Sequence, residues 1–232
     1  MTSVPKTEVP LILYKYCPPE RIDIIENLQI RFSPPSEFND AFDTYHLLAQ
    51  PAPMSAKLGR STLRNRLGVL CLAERADNHL MWVNYAKNHT GFVLGFEACA
   101  PFFQEDQRVL RKVIYQSRPP VFDAPEESAC YYKSPDWEYE QEWRCVRRFA
   151  HSESRLASIE ASMIKEVILG YQMEVWNISR LIQYDAALEM RAAFSASSPS
   201  HTKWKFINKP KRVSVCEHCS GAGYHVVDKH DY

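Results

Sequence analysis

The stretch GVLCLAERADNHLMWVNYAKNHTGFVLGFE, residues 68–97, indicates the fold most clearly. Its first six residues form a short apolar run that is typical of a buried strand. Asp77 and Asn78 then supply side chains that cap a helix N-terminus. Four apolar or aromatic side chains follow at helical spacing: Leu80, Trp82, Tyr85 and Ala86. Because Gly91 opens a second apolar run, we predict a strand–helix–strand unit here.

Other segments of the chain carry mostly strand patterns. Residues 20–27 (ERIDIIEN) place isoleucines on one helical face and predict a short helix. Four runs are typical of strands: LILYKY (11–16), LQIRFS (28–33), RVLRKVIYQ (108–116) and IKEVILGY (164–171). Because short strands outnumber helices, we predict an α+β fold with a compact mixed sheet core and flanking helices.

The stretch WEYEQEWR, residues 137–144, alternates carboxylates with aromatic or amide side chains. In a strand one face would carry Glu138, Glu140, Glu142 and Arg144. In a helix Glu138 and Glu142 would instead be repulsive neighbours. Strict alternation favours the strand, and we expect Arg144 to pair with a carboxylate of this strand or of the loop at 34–43. The alternative is a solvated edge with one structural Arg–Glu pair.

Charge and composition exclude several classes of protein. The 232 residues contain 28 Lys and Arg against 28 Asp and Glu, so no net charge attracts the chain to nucleic acid or membrane. No apolar run is as long as a membrane span, and the first ten residues lack the pattern of a signal peptide. We therefore expect a cytoplasmic protein whose seven cysteines are reduced thiols or metal ligands.

The composition changes near Ser195, which predicts three regions. Residues 1–195 form the main α+β domain, residues 196–212 a polar and basic linker, and residues 213–232 a Cys/His tail. Within the linker, residues 203–212 contain five bases and no acid, which makes the segment a candidate contact for nucleic acid.

The tail carries a candidate zinc site. Cys216 and Cys219 have C-x-x-C spacing, and two thiolates at this spacing can bind one zinc ion from a tight turn. His225 is the candidate third ligand, and His230 or His218 is the candidate fourth. The segment also resembles half of the C-x-x-C-x-G-x-G repeat of DnaJ-type chaperones. A disordered thiol-bearing tail and a redox-active pair are the alternatives.

Four motifs resemble, in order and spacing, a widespread bacterial family of uncharacterised proteins. They are LYKY (13–16), RFSPPSEFNDAFD (31–43), LMWVNYAKNHTGFVLGF (80–96) and WEYEQEWR (137–144). The resemblance covers about residues 11–195.

The same order of motifs is also similar, more distantly, to that of ADP-ribosyltransferases, which implies an ADP-ribosyltransferase-like fold that uses NAD. The resemblance implies Glu142 as the catalytic carboxylate, with Glu140 beside it. It implies these cofactor-binding residues: Tyr14, Lys15, Tyr16, Tyr85 and Arg144. Tyr85 would stack on nicotinamide, in a pocket that Glu140 and Glu142 share with a residue of LYKY. For Tyr85 the alternative is plain core packing.

The chemistry of such a site is coherent. Cleavage of the bond between nicotinamide and ribose builds a cationic sugar that a carboxylate stabilises, and a second carboxylate can accept the proton of the nucleophile. We therefore predict an ADP-ribosyltransferase-like enzyme, a toxin or anti-phage effector, that acts on an unknown protein or nucleic-acid acceptor. One alternative is a non-enzymatic nucleic-acid-binding module. Another is a Mg²⁺-dependent nuclease that uses Asp40 and Asp43, although turn capping also explains these two residues.

Overall fold

A computed structural model describes residues 8–40, 42–43, 64–105, 107–120, 127–202, 206–215 and 224–228. The chain divides into two units, which are described one at a time. Unit 1 comprises Met1–Leu11, Arg31–Glu74 and Ala98–Ala157. Unit 2 comprises Ile12–Ile30, Arg75–Glu97 and Ser158–Tyr232.

The regular elements are numbered in chain order. The strands are β1 (Ile12–Cys17), β2 (Gln29–Arg31), β3 (Leu67–Ala73), β4 (Phe92–Glu97), β5 (Val109–Lys112), β6 (Ile114–Tyr115), β7 (Tyr132–Lys133), β8 (Glu142–Arg148), β9 (Leu156–Ser158), β10 (Ile164–Leu169), β11 (Ala193–Pro199), β12 (Phe206–Val215) and β13 (Tyr224–Asp228). The α-helices are α1 (Asp23–Asn27), α2 (His79–Tyr85) and α3 (Val175–Ala187). Short 3₁₀ helices span Pro19–Ile22, Pro35–Glu37, Pro101–Phe103, Glu127–Tyr131, Pro135–Glu140 and Ala161–Met163.

Unit 1 is built on an antiparallel sheet in the order β3-β8-β5. The apolar run of β3 is buried along almost its whole length, as the sequence predicts for GVLCLA. Its side chains pack in a core that includes Leu67, Val69, Cys130, Tyr131 and Val146. Strands β6 and β7 form a separate parallel pair in the same unit.

Unit 2 contains a mixed sheet in the order β13-β12-β11-β10-β4-β1. The pair β10 and β11 is parallel, and α3 makes the crossover that a parallel connection requires. Helix α2 begins as predicted, because the Asn78 side chain accepts hydrogen bonds from the backbone N–H groups of Leu80 and Met81. The α+β class and the mixed sheet are confirmed.

Aromatic rings fill much of the interior of unit 2. Trp82 is fully buried, and its indole N–H donates to the Ala76 carbonyl at 2.8 Å. The Tyr16 ring lies edge-on to Trp82 with a centroid distance of 5.5 Å, and the His89 ring stacks on Trp82 at 5.7 Å. Phe206 stacks on His89 at 4.4 Å. The Trp82 indole N–H and the Tyr16 hydroxyl, which donates to the Arg75 carbonyl, thus have hydrogen-bond partners within a largely apolar interior.

The prediction of one strand over WEYEQEWR is wrong for its first half. Pro135–Glu140 is a 3₁₀ helix, and the strand begins only at Glu142. The Ser134 hydroxyl caps this helix by accepting from the Asp136 N–H, and Gln141 ends it in a left-handed conformation with φ 46°. The alternation of faces therefore starts at Glu142, and Glu138 is exposed.

The segment predicted to be a linker, residues 196–212, contains the end of β11 and most of β12. These strands pair antiparallel, with Ser195 opposite Pro210, so backbone hydrogen bonds order part of the predicted linker. The proposed limits of the domains stay predictions.

Two findings concern the part of the chain that the structure describes. Its cysteines are free thiols: Cys17, Cys71, Cys99, Cys130 and Cys145. No helix in the described ranges has the length and apolar character needed to cross a bilayer.

Candidate ligand site and buried charge cluster

Five charged side chains are buried together in unit 1 and are called the charge cluster: Asp43, Lys133, Glu140, Glu142 and Arg144. Each comes from a different local structure except Glu142 and Arg144, which share one face of β8. Lys133 ends β7, Glu140 ends the 3₁₀ helix Pro135–Glu140, and Asp43 lies in the turn after Asp40. Three carboxylates thus face two cations.

Arg144 is the centre of the charge cluster. Its Nε and Nη2 donate to the two carboxylate oxygens of Glu142, both at 2.9 Å. Its Nη1 and Nη2 donate to the two oxygens of Asp43 at 2.9 and 2.5 Å, and Nη1 also donates to the Cys130 carbonyl at 2.7 Å. All five N–H donors of the guanidinium group are therefore used. The prediction that Arg144 pairs with a carboxylate of its strand or of the preceding loop is confirmed for both.

Lys133 connects the two carboxylates that the sequence singles out. Its ammonium group donates to Glu140 Oε2 at 2.6 Å and to Glu142 Oε2 at 3.4 Å. The same ammonium group lies 4.5 Å from the centre of the Trp137 ring, within the range of a cation–π contact. Glu140 and Glu142 are thus brought together by a residue that the sequence analysis did not select.

The charges in the cluster fix the ionisation of its members. Burial alone would raise the pKa of Glu142, but the charges of Arg144 and Lys133 outweigh burial and lower the pKa to about 2. Burial alone would lower the pKa of Arg144, yet Glu142 and Asp43 hold it well above its ordinary value. Burial alone would also lower the pKa of Lys133, but the charges of Glu142 and Glu140 outweigh burial and raise it. Glu142, Arg144 and Lys133 are therefore charged at neutral pH.

A cavity of about 650 Å³ opens beside the charge cluster within unit 1 and is called the unit 1 cavity. Its size lies within the range of small-molecule sites. Four aromatic side chains contribute to its lining: Phe42, Tyr132, Trp137 and Tyr139. Asp40 and Lys133 are also part of the lining. The cavity thus combines aromatic rings with the Asp40 carboxylate and with the Lys133 ammonium group, which is already paired with Glu140.

Asp40 has one oxygen in use and one without a partner. Its Oδ1 accepts from the Phe42 backbone N–H at 2.9 Å, which confirms the predicted turn-capping role. Its Oδ2 is buried and has no hydrogen-bond partner within the described part of the chain. A buried polar atom without a partner is uncommon in folded proteins and needs an explanation.

The remaining residues predicted to bind the cofactor belong to unit 2. Tyr16 is buried in β1, where its hydroxyl donates to the Arg75 carbonyl at 2.8 Å and accepts from the Asn78 N–H at 3.3 Å. Tyr14 is half-buried, and burial first and the Glu166 carboxylate second raise its pKa to about 12. Lys15 and Tyr85 are half-buried in β1 and α2. For Tyr16 these bonds are those of a structural side chain.

The candidate zinc ligands mostly lie outside the described residues. Cys216, Cys219 and His230 fall outside the described ranges, and His225 lies in β13, where only the backbone is described. The predicted zinc site stays a prediction.

Of the two functional candidates Lys133 and Asp40, the sequence patterns do not indicate Lys133, and they indicate Asp40 only as a magnesium ligand of the nuclease alternative. Lys133 stands between aromatic residues and Ser-Pro, in YYKSP, with no acid beside it. Asp40 lies in a Phe-Asn-Asp turn, where capping is a sufficient explanation of an Asp. The one available signal was that Asp40 and Asp43 stand close together in a motif of the resembled family.

Residues 81–145 match a family model. Its description is "protein of unknown function (DUF2971)", and the suspected resemblance to a family of unknown function is confirmed over this range. The match includes Lys133, Glu140, Glu142 and Arg144, four of the five members of the charge cluster. Neither the curated proteins nor the solved structures contain a match to the chain.

Proposed function

We propose that the protein acts on a small molecule bound in the unit 1 cavity, and that this molecule is NAD, used for ADP-ribosyl transfer. The position of Lys133 carries the proposal. Its side chain forms part of the cavity lining, while its ammonium group contacts Glu140 at 2.6 Å and Glu142 at 3.4 Å. The predicted pair of carboxylates is therefore one side chain away from the cavity.

This arrangement suits a reaction that develops positive charge. Loss of nicotinamide leaves a cationic ribose, which anions in a site with little water stabilise strongly. Direct contact between Glu142 and the ribose requires Lys133 to leave Glu142 Oε2, the longer of its two carboxylate contacts. A ligand that moves Lys133 towards Glu140 would remove one of the two donors of this oxygen, and Arg144, whose Nη2 donates to the same oxygen at 2.9 Å, would keep the carboxylate ionised.

Nicotinamide release from NAD tests the proposal. The full chain is incubated with NAD, with water and an added cell extract supplying acceptors for the ADP-ribosyl group, and the wild-type protein is compared with Glu142→Gln and with Glu138→Gln. Glu138 is the matched control, because it is exposed in the same segment and lies outside the charge cluster. We expect Glu142→Gln to lower the release at least about 100-fold and Glu138→Gln to leave it unchanged.

Circular dichroism and thermal unfolding of each variant separate lost activity from lost structure. Absence of nicotinamide release by folded wild-type protein would overturn the proposed reaction. Equal release by folded Glu142→Gln protein would remove Glu142 from it.

The magnesium-dependent nuclease has weaker support from the geometry. Both carboxylate oxygens of Asp43 accept hydrogen bonds from Arg144. Asp43 would have to leave a buried ion pair to bind Mg²⁺, which is costly.

A further inference from the structure

Asp40 lines the unit 1 cavity and is held in place by the turn that contains it. The bond from the Phe42 N–H holds Oδ1, and the Asp40 carbonyl accepts from the Asp43 N–H at 3.1 Å, so both ends of the residue are held in the turn. Asp40 is 6% exposed, and its Oδ2 has no hydrogen-bond partner among the residues that the structure describes. Burying such an oxygen without a donor is unfavourable, so a ligand that supplies a donor gains from meeting it.

An aromatic surface stands beside this acceptor. Phe42 lines the cavity and is 73% exposed, which is unusual for so large an apolar ring. Trp137 lines the same cavity, and its ring lies 6.1 Å from that of Tyr139. Because Phe42 and Asp40 belong to one turn, ring face and acceptor are presented together. A flat ligand can therefore use both at once.

The charges around the cavity select against anions. Among the described residues that line it, the carboxylates are Asp40 and Asp136, and the cation is Lys133. The Lys133 ammonium group is already paired with Glu140 at 2.6 Å. The other members of the charge cluster add three carboxylates, Asp43, Glu140 and Glu142, against one cation, Arg144. A neutral or cationic group with N–H donors fits this environment, and a phosphate group does not.

We propose that the unit 1 cavity binds a flat nitrogen-containing ring, with the ring face against Phe42 and Trp137 and an amide or amino N–H donated to Asp40 Oδ2. The inference rests on the proposed function for the location of the ligand site, but it does not require ADP-ribosyl transfer. Two sources carry this chemistry, the nicotinamide ring of NAD and the amino-bearing base of a nucleotide. In both, the phosphate groups would lie outside the cavity.

Two matched pairs of small molecules test the proposal on the full chain by isothermal titration calorimetry. Nicotinamide is compared with nicotinic acid, in which a carboxylate replaces the amide. Adenosine is compared with purine riboside, which lacks the amino group. We expect the member with the N–H donor to bind at least about tenfold more tightly in the pair that fits. The pair that shows this difference identifies the source.

Three variants assign the contacts. Asp40→Asn keeps the oxygen that caps the turn and replaces Oδ2 by a donor, so we expect an affinity loss of about tenfold or more. Phe42→Ala removes an exposed ring without opening the core, and we expect a loss of about fivefold. Glu138→Gln is the matched control, because Glu138 is exposed in the same 3₁₀ helix as Trp137 and is not among the described residues that line the cavity. Its affinity should stay within about twofold of the wild type.

Several results would overturn the inference. They are failure of all four molecules to bind at millimolar concentration, equal binding within both pairs, and unchanged affinity in Asp40→Asn. Binding of nicotinamide or adenosine without nicotinamide release from NAD would keep this inference and overturn the proposed reaction. If Asp40→Asn leaves the turnover of NAD unchanged, the proposed reaction is kept and this inference is overturned.

Discussion

The two units differ in what they bury. Among the described residues, every buried Asp, Glu, Lys and Arg lies in unit 1, and these are Asp40 and the five members of the charge cluster. The buried polar residues of unit 2 are uncharged or weakly basic: His89, Asn177 and Ser197. Unit 2 otherwise packs apolar and aromatic side chains such as Tyr16 and Trp82.

This difference indicates which unit carries the chemistry. Buried ion pairs seldom stabilise a fold more than well-packed apolar side chains of the same size. An apolar interior like that of unit 2 is sufficient for folding, so five buried charges beside a cavity need a reason other than stability. We infer that unit 1 holds the ligand site and that unit 2 serves as scaffold.

Arg144→Met gives the largest expected effect on stability. The substitution leaves Glu142 and Asp43 buried without their cation, which is expected to cost about 3–5 kcal/mol of unfolding free energy. Urea unfolding followed by circular dichroism measures this loss. The matched control is Arg148→Met on the same strand, because Arg148 is exposed and pairs with Glu127, and its loss should be about 0–1 kcal/mol. Equal losses in both variants would remove the distinction between the charge cluster and the surface.

The buried titratable groups of the two units should lower the unfolding free energy in different pH ranges. The pKa of Glu142 is lowered from 4.5 to about 2, so its contribution is present above pH 4.5 and is lost as the pH falls towards 2. The loss is on the order of 3 kcal/mol. Burial first and His79 second lower the pKa of His89 from 6.5 to about 4. In unit 2 the unfolded chain therefore binds the extra proton, and stability falls between pH 6.5 and 4.

Variants assign the two pH ranges. His89→Asn suits the left-handed backbone at φ 65° and should flatten the dependence between pH 6.5 and 4. Glu142→Gln should flatten it below pH 4.5. Unfolding free energies measured from pH 7 to pH 2 give both curves. A His89→Asn curve parallel to that of the wild type would show that His89 does not cause the loss in the upper range.

Trp82→Phe tests the apolar interior of unit 2. The change removes ring volume and leaves the Ala76 carbonyl without its indole donor, for an expected loss of about 2 kcal/mol. Because no charge is involved, this loss should be the same at pH 7 and pH 5. A loss that changes with pH in this range would show that Trp82 is coupled to His89, on which it stacks.

Local patterns account for much of the fold. GVLCLA, GFVLGFE and IKEVILGY form β3, β4 and β10 because each is a short apolar run bounded by turn residues. For WEYEQEWR the alternation of side chains gave a wrong prediction. Pro135 starts a 3₁₀ helix just before this stretch, and Gln141 has a left-handed backbone conformation within it.

The candidate site was harder to predict, because its contacts are long-range. Arg144 bonds to Asp43, a residue 101 positions earlier in the chain. The sequence predicts that Arg144 pairs with a carboxylate of its own strand or of the loop at 34–43. No local pattern, however, predicts that Lys133 lies beside Glu140. Burial of Asp40 Oδ2 depends on the packing around the turn, which no spacing of residues specifies.

Removal of the predicted zinc ligands in the tail should have the smallest effect on the stability of either unit. We expect the purified full chain to bind zinc through Cys216 and Cys219, with His225 and His230 as further ligands. Metal analysis compares the wild type with a Cys216→Ser, Cys219→Ser double variant, and the thermal unfolding of the two should coincide. Equal, sub-stoichiometric zinc in both proteins would leave the cysteines as ordinary thiols.

The most direct test of the division between ligand site and scaffold is a crystal structure of the full chain with NAD. We expect a flat ring in the unit 1 cavity, against Phe42, with an N–H group within about 3.2 Å of Asp40 Oδ2. NAD bound in unit 2 beside Tyr14 or Tyr85, with no ring in the unit 1 cavity, would contradict it.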